Sequence, residues 1–88
     1  MINHGTVTDN KGTIEAIQSA GSVTTNNGEV KNNFGTIDEN NGFVSINKEN
    51  ATIKKNNTQI TDNHGTVNEN AKGETIWDGG YIENNHHT

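Results

Sequence analysis

The groups in this 88-residue sequence that could transfer protons or hold charge are eleven carboxylates, six lysines and four histidines. Catalysis by such groups requires acid, base and nucleophile to converge in a cleft. The nearest approach is Asp62 with His64, joined by Ser45 if that residue lies one coil away. His64, however, fills a variable slot of a repeated motif that elsewhere holds Lys11, Asn27 and Phe34. His4 fills the same slot and is expected on a different face, so the two histidines do not share a metal. The pair His86-His87 reads as a polar tail, with weak metal binding as the alternative. There is no cysteine, which excludes disulfides and thiolate sites. No glycine-rich phosphate loop links a strand to a helix. Asn50-Ala51-Thr52 and Asn56-Asn57-Thr58 match glycosylation acceptors, as chance allows among 17 Asn and 12 Thr. We therefore expect no enzyme activity, no cofactor and no metal site.

The elements that position these groups are legible in the composition. Apolar residues make up 26% of the chain against about 45–50% in ordinary globular proteins. Mean hydropathy is −0.93, so a conventional core is out of reach. Proline is absent and the net charge is only −5, a poor match to a disordered chain. The apolar set is nine Ile, five Val and four Ala with no Leu, a vocabulary suited to strands.

A heptad motif recurs as Asn3-His-Gly-Thr-Val7, Asn10-Lys-Gly-Thr-Ile14, Asn26-Asn-Gly-Glu-Val30, Asn33-Phe-Gly-Thr-Ile37, Asn40-Asn-Gly-Phe-Val44 and Asn63-His-Gly-Thr-Val67. Weaker copies centre on Val23, Ile53, Ile60, Ile76 and Ile82. One apolar position per heptad and ten glycines argue against a coiled coil. Each heptad reads instead as a short strand, Gly-Thr-Val-x-x, with Val or Ile inward, followed by a corner containing Asn. Gly and Asn suit corners that require positive φ, and recurring Asn can stack as an amide ladder. A longer period is superimposed on the heptads, for Val7, Val30, Ile53 and Ile76 are evenly spaced, and Ile14, Ile37 and Ile60 keep the same spacing. That period predicts an all-β, three-sided β-solenoid of about 23 residues per coil and just under four coils. It would span residues 1–83, with 84–88 as a tail or end cover, helped by Trp77 and Tyr81.

On this registry the outward residues sort into faces. One carries Lys31, Lys54, Lys55 and Trp77; the next carries Glu15, Asp38, Glu39, Asp62 and Glu83. The acidic column is either a contact surface or a solvated face. Phe34 at a corner and Phe43 on the third face are candidate exposed aromatics at a contact. All six basic residues are Lys, so direct nucleic-acid binding is not expected. No apolar run of membrane-spanning length is present, and with no signal peptide the chain is expected in the cytoplasm, or in a virion or at a cell surface if structural.

The heptads resemble those of plant ice-binding β-rolls over nearly the whole chain. In that family Asn precedes Val by two residues and Gly follows it by two; here Asn precedes by four and Gly by two. The resemblance implies a flat Thr array, which the three-sided registry breaks with Thr6, Glu29, Thr52 and Thr75 in one column. The acidic column is similar to the surface of pentapeptide-repeat proteins that imitate duplex DNA, which implies an inhibitor of a nucleic-acid-binding machine. Asn/Gly/Thr-rich β-helices of phage fibres and surface filaments are a third likeness, implying a structural role. The expectation is a non-enzymatic binding protein of the acidic inhibitor type with a protein partner. The alternatives are a fibre segment, with uncapped coil ends open to self-assembly, and an ice-binding protein.

Overall fold

The computed structural model describes residues 1–70 in full and the backbone of residues 81–85. These residues form β1 (Ile2–Asn3), β2 (Thr6–Asn10), β3 (Thr13–Ile17), β4 (Ser22–Asn26), β5 (Glu29–Asn33), β6 (Thr36–Asn40), β7 (Phe43–Asn47), β8 (Thr52–Asn56), β9 (Gln59–Asn63), β10 (Thr66–Asn70) and β11 (Tyr81–Asn85). All neighbouring strands are parallel. Odd-numbered strands build a six-stranded sheet in the order β1-β3-β5-β7-β9-β11, and even-numbered strands a five-stranded sheet in the order β10-β8-β6-β4-β2. The chain is a β-solenoid, as its heptads predict. Four turns separate β2 from β10, close to the expected number.

The shape of the coil differs from expectation. It has two sides, because successive heptads alternate between the two sheets. Val7 pairs with Val23, Val23 with Ile37, Ile37 with Ile53 and Ile53 with Val67. Longer and shorter turns therefore alternate, and the ladder asparagines are offset by 16 from Asn10 to Asn26 and by 14 from Asn26 to Asn40. Val7 and Val30, one period apart in the three-sided registry, lie on opposite sheets. That period is one and a half turns, and it arises because the runs of three strands from Val7 to Val30, Ile14 to Ile37, Val30 to Ile53 and Ile37 to Ile60 each include one long corner, while Val23 to Val44 includes none. Between β1 and β10 the corners have two residues except Gln18–Gly21 and Lys48–Ala51, which have four and occupy the same edge. In the longer corners the N–H groups of Gly21 and Ala51 donate to the carbonyls of Gln18 and Lys48, closing β-turns. Asn50 has φ 70°, the left-handed value that Asn tolerates in such a turn.

Strict alternation would bury the second and fourth residues of each strand, yet the second and fifth are buried. The register pairs the first, second, fourth and fifth residues and skips the third, where the alternation slips by one place. In every strand from β1 to β10 except β3, which ends in Ile17, Asn therefore closes the strand on the inner side, where a place in the corner was expected. Ile14, Val23, Val30, Ile37, Val44, Ile53 and Ile60 form a fully buried axis, and beside them Asn26, Asn33, Asn40, Asn47, Asn56 and Asn63 are also fully buried. Each buried Val or Ile contributes about 1.5–3 kcal/mol.

The buried amides are satisfied by one another. The Asn26 Nδ2 donates to Asn40 Oδ1 at 2.8 Å and to the Phe43 carbonyl at 3.2 Å. Its Oδ1 accepts from Asn10 Nδ2 at 2.8 Å and from the Gly28 N–H at 3.3 Å. Two donor hydrogens and two acceptor sites exhaust an amide's capacity. The ladder runs Asn10, Asn26, Asn40, Asn56, Asn70 along one edge. A second runs Asn33, Asn47, Asn63 along the other. Ile17 interrupts the second ladder after Asn3, beside a corner that satisfies its own Gly21 N–H.

The motif's glycine is required for close approach. None of the seven described glycines has φ in the left-handed region, so the expectation of positive φ at the corners holds for Asn50 and not for these glycines. Instead, the carbonyls of Gly5, Gly12, Gly21, Gly28 and Gly35 each accept a backbone N–H from the next coil, as from Phe43 N to Gly28 O at 2.9 Å. A Cβ on Gly42 would then lie 2.1 Å from that oxygen, and one on Gly28 would lie 2.2 Å from the Gly12 oxygen. At Gly12 itself nothing lies within 4 Å.

Two outcomes are expected in denaturant unfolding. Gly42→Ala lowers stability by about 3 kcal/mol or more, whereas Gly12→Ala stays within about 0.5 kcal/mol of the parent. Asn40→Ala also costs about 3 kcal/mol, because it strands the Asn26 donor, the Asn56 acceptor and the Gly42 N–H together.

Candidate interaction surfaces

Stacking brings the same strand position of successive turns into columns, and on each sheet the first, third and fourth positions face outward. On the five-stranded sheet the first position reads Thr6, Ser22, Thr36, Thr52, Thr66. The Thr6 and Ser22 hydroxyls are 3.3 Å apart. The fourth position reads Asp9, Thr25, Glu39, Lys55, Glu69. Between these columns lie Asp38 and Lys54, whose charged atoms are 3.5 Å apart. On the six-stranded sheet the first position reads Thr13, Glu29, Phe43, Gln59, and the fourth Ile2, Ala16, Asn32, Ile46, Asp62. Glu15 and Lys31 occupy the third position, 3.6 Å apart.

The expected acidic and basic faces are therefore not formed. Glu15 and Asp62 stand on one sheet, Asp38 and Glu39 on the other, with the Glu83 backbone on the same sheet as Asp62. Lys31 is separated from Lys54 and Lys55 in the same way. The cause is the half-turn error: residues one three-sided period apart swap sheets. In their true columns the charges alternate in sign, Asp38 beside Lys54, Glu15 beside Lys31, and Lys55 between Glu39 and Glu69. Opposite charges one strand apart are mildly stabilising, so the faces gain cohesion where repulsion was expected.

The edges carry the remaining candidates. Gln18, Phe34, Lys48 and His64 follow one another along the edge that holds the four-residue corners, each donating its backbone N–H to the preceding coil. His4 begins the same edge, so it shares an edge with His64 after all, four turns away. The Lys48 ammonium sits 5.6 Å from the Phe34 ring centroid, and Phe34 remains 40% exposed. Phe43 is half-buried within a sheet face, and the two aromatics do not form one patch. Ser45 and Asp62 do lie on adjacent strands, β7 and β9. Trp77 and His86 to Thr88 lie outside the described residues. Tyr81, Asn84 and Asn85 belong to a strand of the sheet where an end cover was expected. Among the described residues no group of three His, Asp or Glu is placed to hold a metal, and no helix is long and apolar enough to cross a membrane.

Sequence reasoning missed a row of amides on the opposite edge. Asn57 Nδ2 donates to Asn41 Oδ1 at 2.7 Å and to Glu39 Oε2 at 2.9 Å, and Asn27 Nδ2 donates to Asp9 Oδ1 at 2.7 Å. The available signal was the doublets Asn26-Asn27, Asn40-Asn41 and Asn56-Asn57. One Asn of each faces the interior and the other the rim.

Comparison with protein-family models, curated proteins and solved structures finds no match to this chain.

The alternating column sets a charge test. Lys55→Glu places three carboxylates in a row with Glu39 and Glu69 and should cost about 1 kcal/mol in low salt. Repeating the melt in about 1 M salt should erase most of that difference, because the Debye length falls to about 3 Å.

Proposed function

We propose that this chain is a non-enzymatic structural module, a stiff segment of a fibre, spike or surface filament. The observation that carries this reading is the interchangeability of its turns: strands β2 to β10 repeat one register with one ladder of asparagines along the axis. A body built this way extends by adding turns, and its cohesion does not depend on a thick core. The acidic-inhibitor reading rested on a continuous carboxylate ladder. With Glu15 and Asp62 on one sheet, Asp38 and Glu39 on the other, and lysines between neighbours, that support is gone.

Ice binding is the second reading. The column Thr6, Ser22, Thr36, Thr52, Thr66 carries a hydroxyl in every turn, where the three-sided registry had placed Glu29 among the threonines. The uncharged strip is one column wide, because Asp38 and Lys54 stand on the same sheet. A structural segment predicts self-association with negligible thermal hysteresis. Sedimentation and negative-stain microscopy should find elongated assemblies; a monomer that shapes ice crystals would replace the first reading with the second.

A further inference from the structure

We propose that the outer asparagines Asn27 and Asn41 are deamidation sites held in check by the fold, and that the ladder asparagine before each, Asn26 or Asn40, protects it by occupying the N–H that would attack. Each outer residue belongs to an Asn-Gly pair, Asn27-Gly28 and Asn41-Gly42, and is exposed on a two-residue corner. Asparagine is chemically labile, and a following glycine has no side chain to hinder the attack. In the reaction the glycine nitrogen gives its proton to hydroxide or water and bonds to the asparagine Cγ. The Cγ–Nδ2 bond breaks and ammonia leaves. Water then opens the cyclic imide at either carbonyl, giving aspartate or the isomer whose main chain runs through Cβ. Water is the only co-reactant, and nothing is oxidised or reduced.

The fold itself creates the labile pairs. A Cβ on Gly28 or Gly42 would lie 2.2 or 2.1 Å from a carbonyl oxygen of the preceding coil, so glycine is fixed at both places. Any Asn in front of it then completes an Asn-Gly pair. At the corresponding corner after Asn56, Thr58 takes the place of glycine, and its branched side chain hinders the same attack on Asn57.

The corners also withhold the nucleophile. The Gly28 N–H donates to Asn26 Oδ1 at 3.3 Å, and the Gly42 N–H to Asn40 Oδ1 at 3.2 Å. On either side of Gly28, the Asn27 and Glu29 N–H groups donate to the Asn10 and Gly12 carbonyls, both at 2.8 Å. Asn41 and Phe43 donate in the same way to Asn26 and Gly28, at 2.8 and 2.9 Å. Three consecutive N–H groups are thus committed at each corner. Ring closure requires the middle one to be released and its peptide plane to turn. The side chains are tethered as well, for Asn27 Nδ2 donates to Asp9 Oδ1 and Asn41 Oδ1 accepts from Asn57 Nδ2, each at 2.7 Å.

The test incubates the 88-residue chain, Asn26→Ala and Asn40→Ala at mildly alkaline pH, with peptide mass spectrometry reading conversion at Asn27 and Asn41 separately. Every rate is taken relative to the same site in urea, and circular dichroism identifies the variants that fold. In the folded parent both sites should convert about tenfold or more slowly than in urea. Asn40→Ala should speed Asn41 about tenfold over Asn27 of the same molecule, and Asn26→Ala should do the reverse. Lost global stability moves both sites together, so their ratio isolates the local bond. A parent that reacts alike folded and unfolded, or a ratio unchanged in a folded variant, overturns the protection. Where neither variant folds, hydrogen exchange at the Gly28 and Gly42 N–H groups of the folded parent decides. Exchange slowed about tenfold or more supports the protection, and exchange as fast as in an unfolded chain overturns it.

Discussion

The structure depends on the inward-facing asparagine amide. A chain with 26% apolar residues cannot fill two sheet faces with hydrocarbon, and from β2 to β10 this one places a single Val or Ile per strand on the axis with an Asn beside it, except in β3, where Ile17 takes the place of Asn. A polar group taken out of water costs several kcal/mol unless its hydrogen bonds are replaced. Here they are replaced in full, because the neighbour one turn away offers an identical amide in the same orientation. Asn26 and Asn40 each use both oxygen sites and both hydrogens. Stacking is therefore the condition for burial. A strand without neighbours on both sides leaves half of each amide unpaired, so the turns support one another.

The same amides specify register. A slip of one residue would bring Asn over the solvent-facing fourth position and lift Val or Ile from the axis. In an ordinary sheet such an error costs hydrophobic contact alone; here it also breaks the ladder. The glycine carbonyls add a steric lock, since the oxygen that sits 2.1 Å from the Cβ position at Gly42 tolerates no side chain at that place. Thr58 is instructive, as it occupies a glycine slot and its hydroxyl donates to the Gly42 carbonyl while accepting from Asn40 Nδ2. The one described departure from glycine at a two-residue corner is thus drawn into the hydrogen bonding that surrounds the ladder.

Much of this was legible in the residues. The repeat, its β character, the inward Val and Ile and the stacking asparagines all follow from the spacing Asn-x-Gly-Thr-Val. The number of sides was not, because periodicity along a chain does not state how many strands complete a turn. Intervals of seven and nine between anchors fit three strands to a coil as well as two, and the evenness of the three-strand period favoured the wrong choice. What would have distinguished them is Asn at the inner end of each strand. Once the fifth residue as well as the second points inward, each strand has one broad buried side, and two such strands close on each other. The composition of the columns then changes: Glu29 leaves the threonines, Asp38 meets Lys54, and Glu15 meets Lys31.

A core of apolar side chains has no direction along its axis, whereas a ladder of amides does. Each rung passes a hydrogen from one turn to the next, so the two ends of the stack differ chemically even where their sequences are alike. This polarity accompanies the parallel strands, whose carbonyls and N–H groups also repeat in a fixed sense from turn to turn. The consequence is that recognition at an end of this body is governed by hydrogen-bond complementarity first and by apolar area second. The thin axis leaves little apolar area to share, so the stacking of one turn on the next is decided by amide and backbone donors meeting acceptors in parallel register. A neighbouring turn that was merely hydrophobic would cover Val or Ile but leave each ladder oxygen with the glycine N–H alone and one acceptor site unfilled.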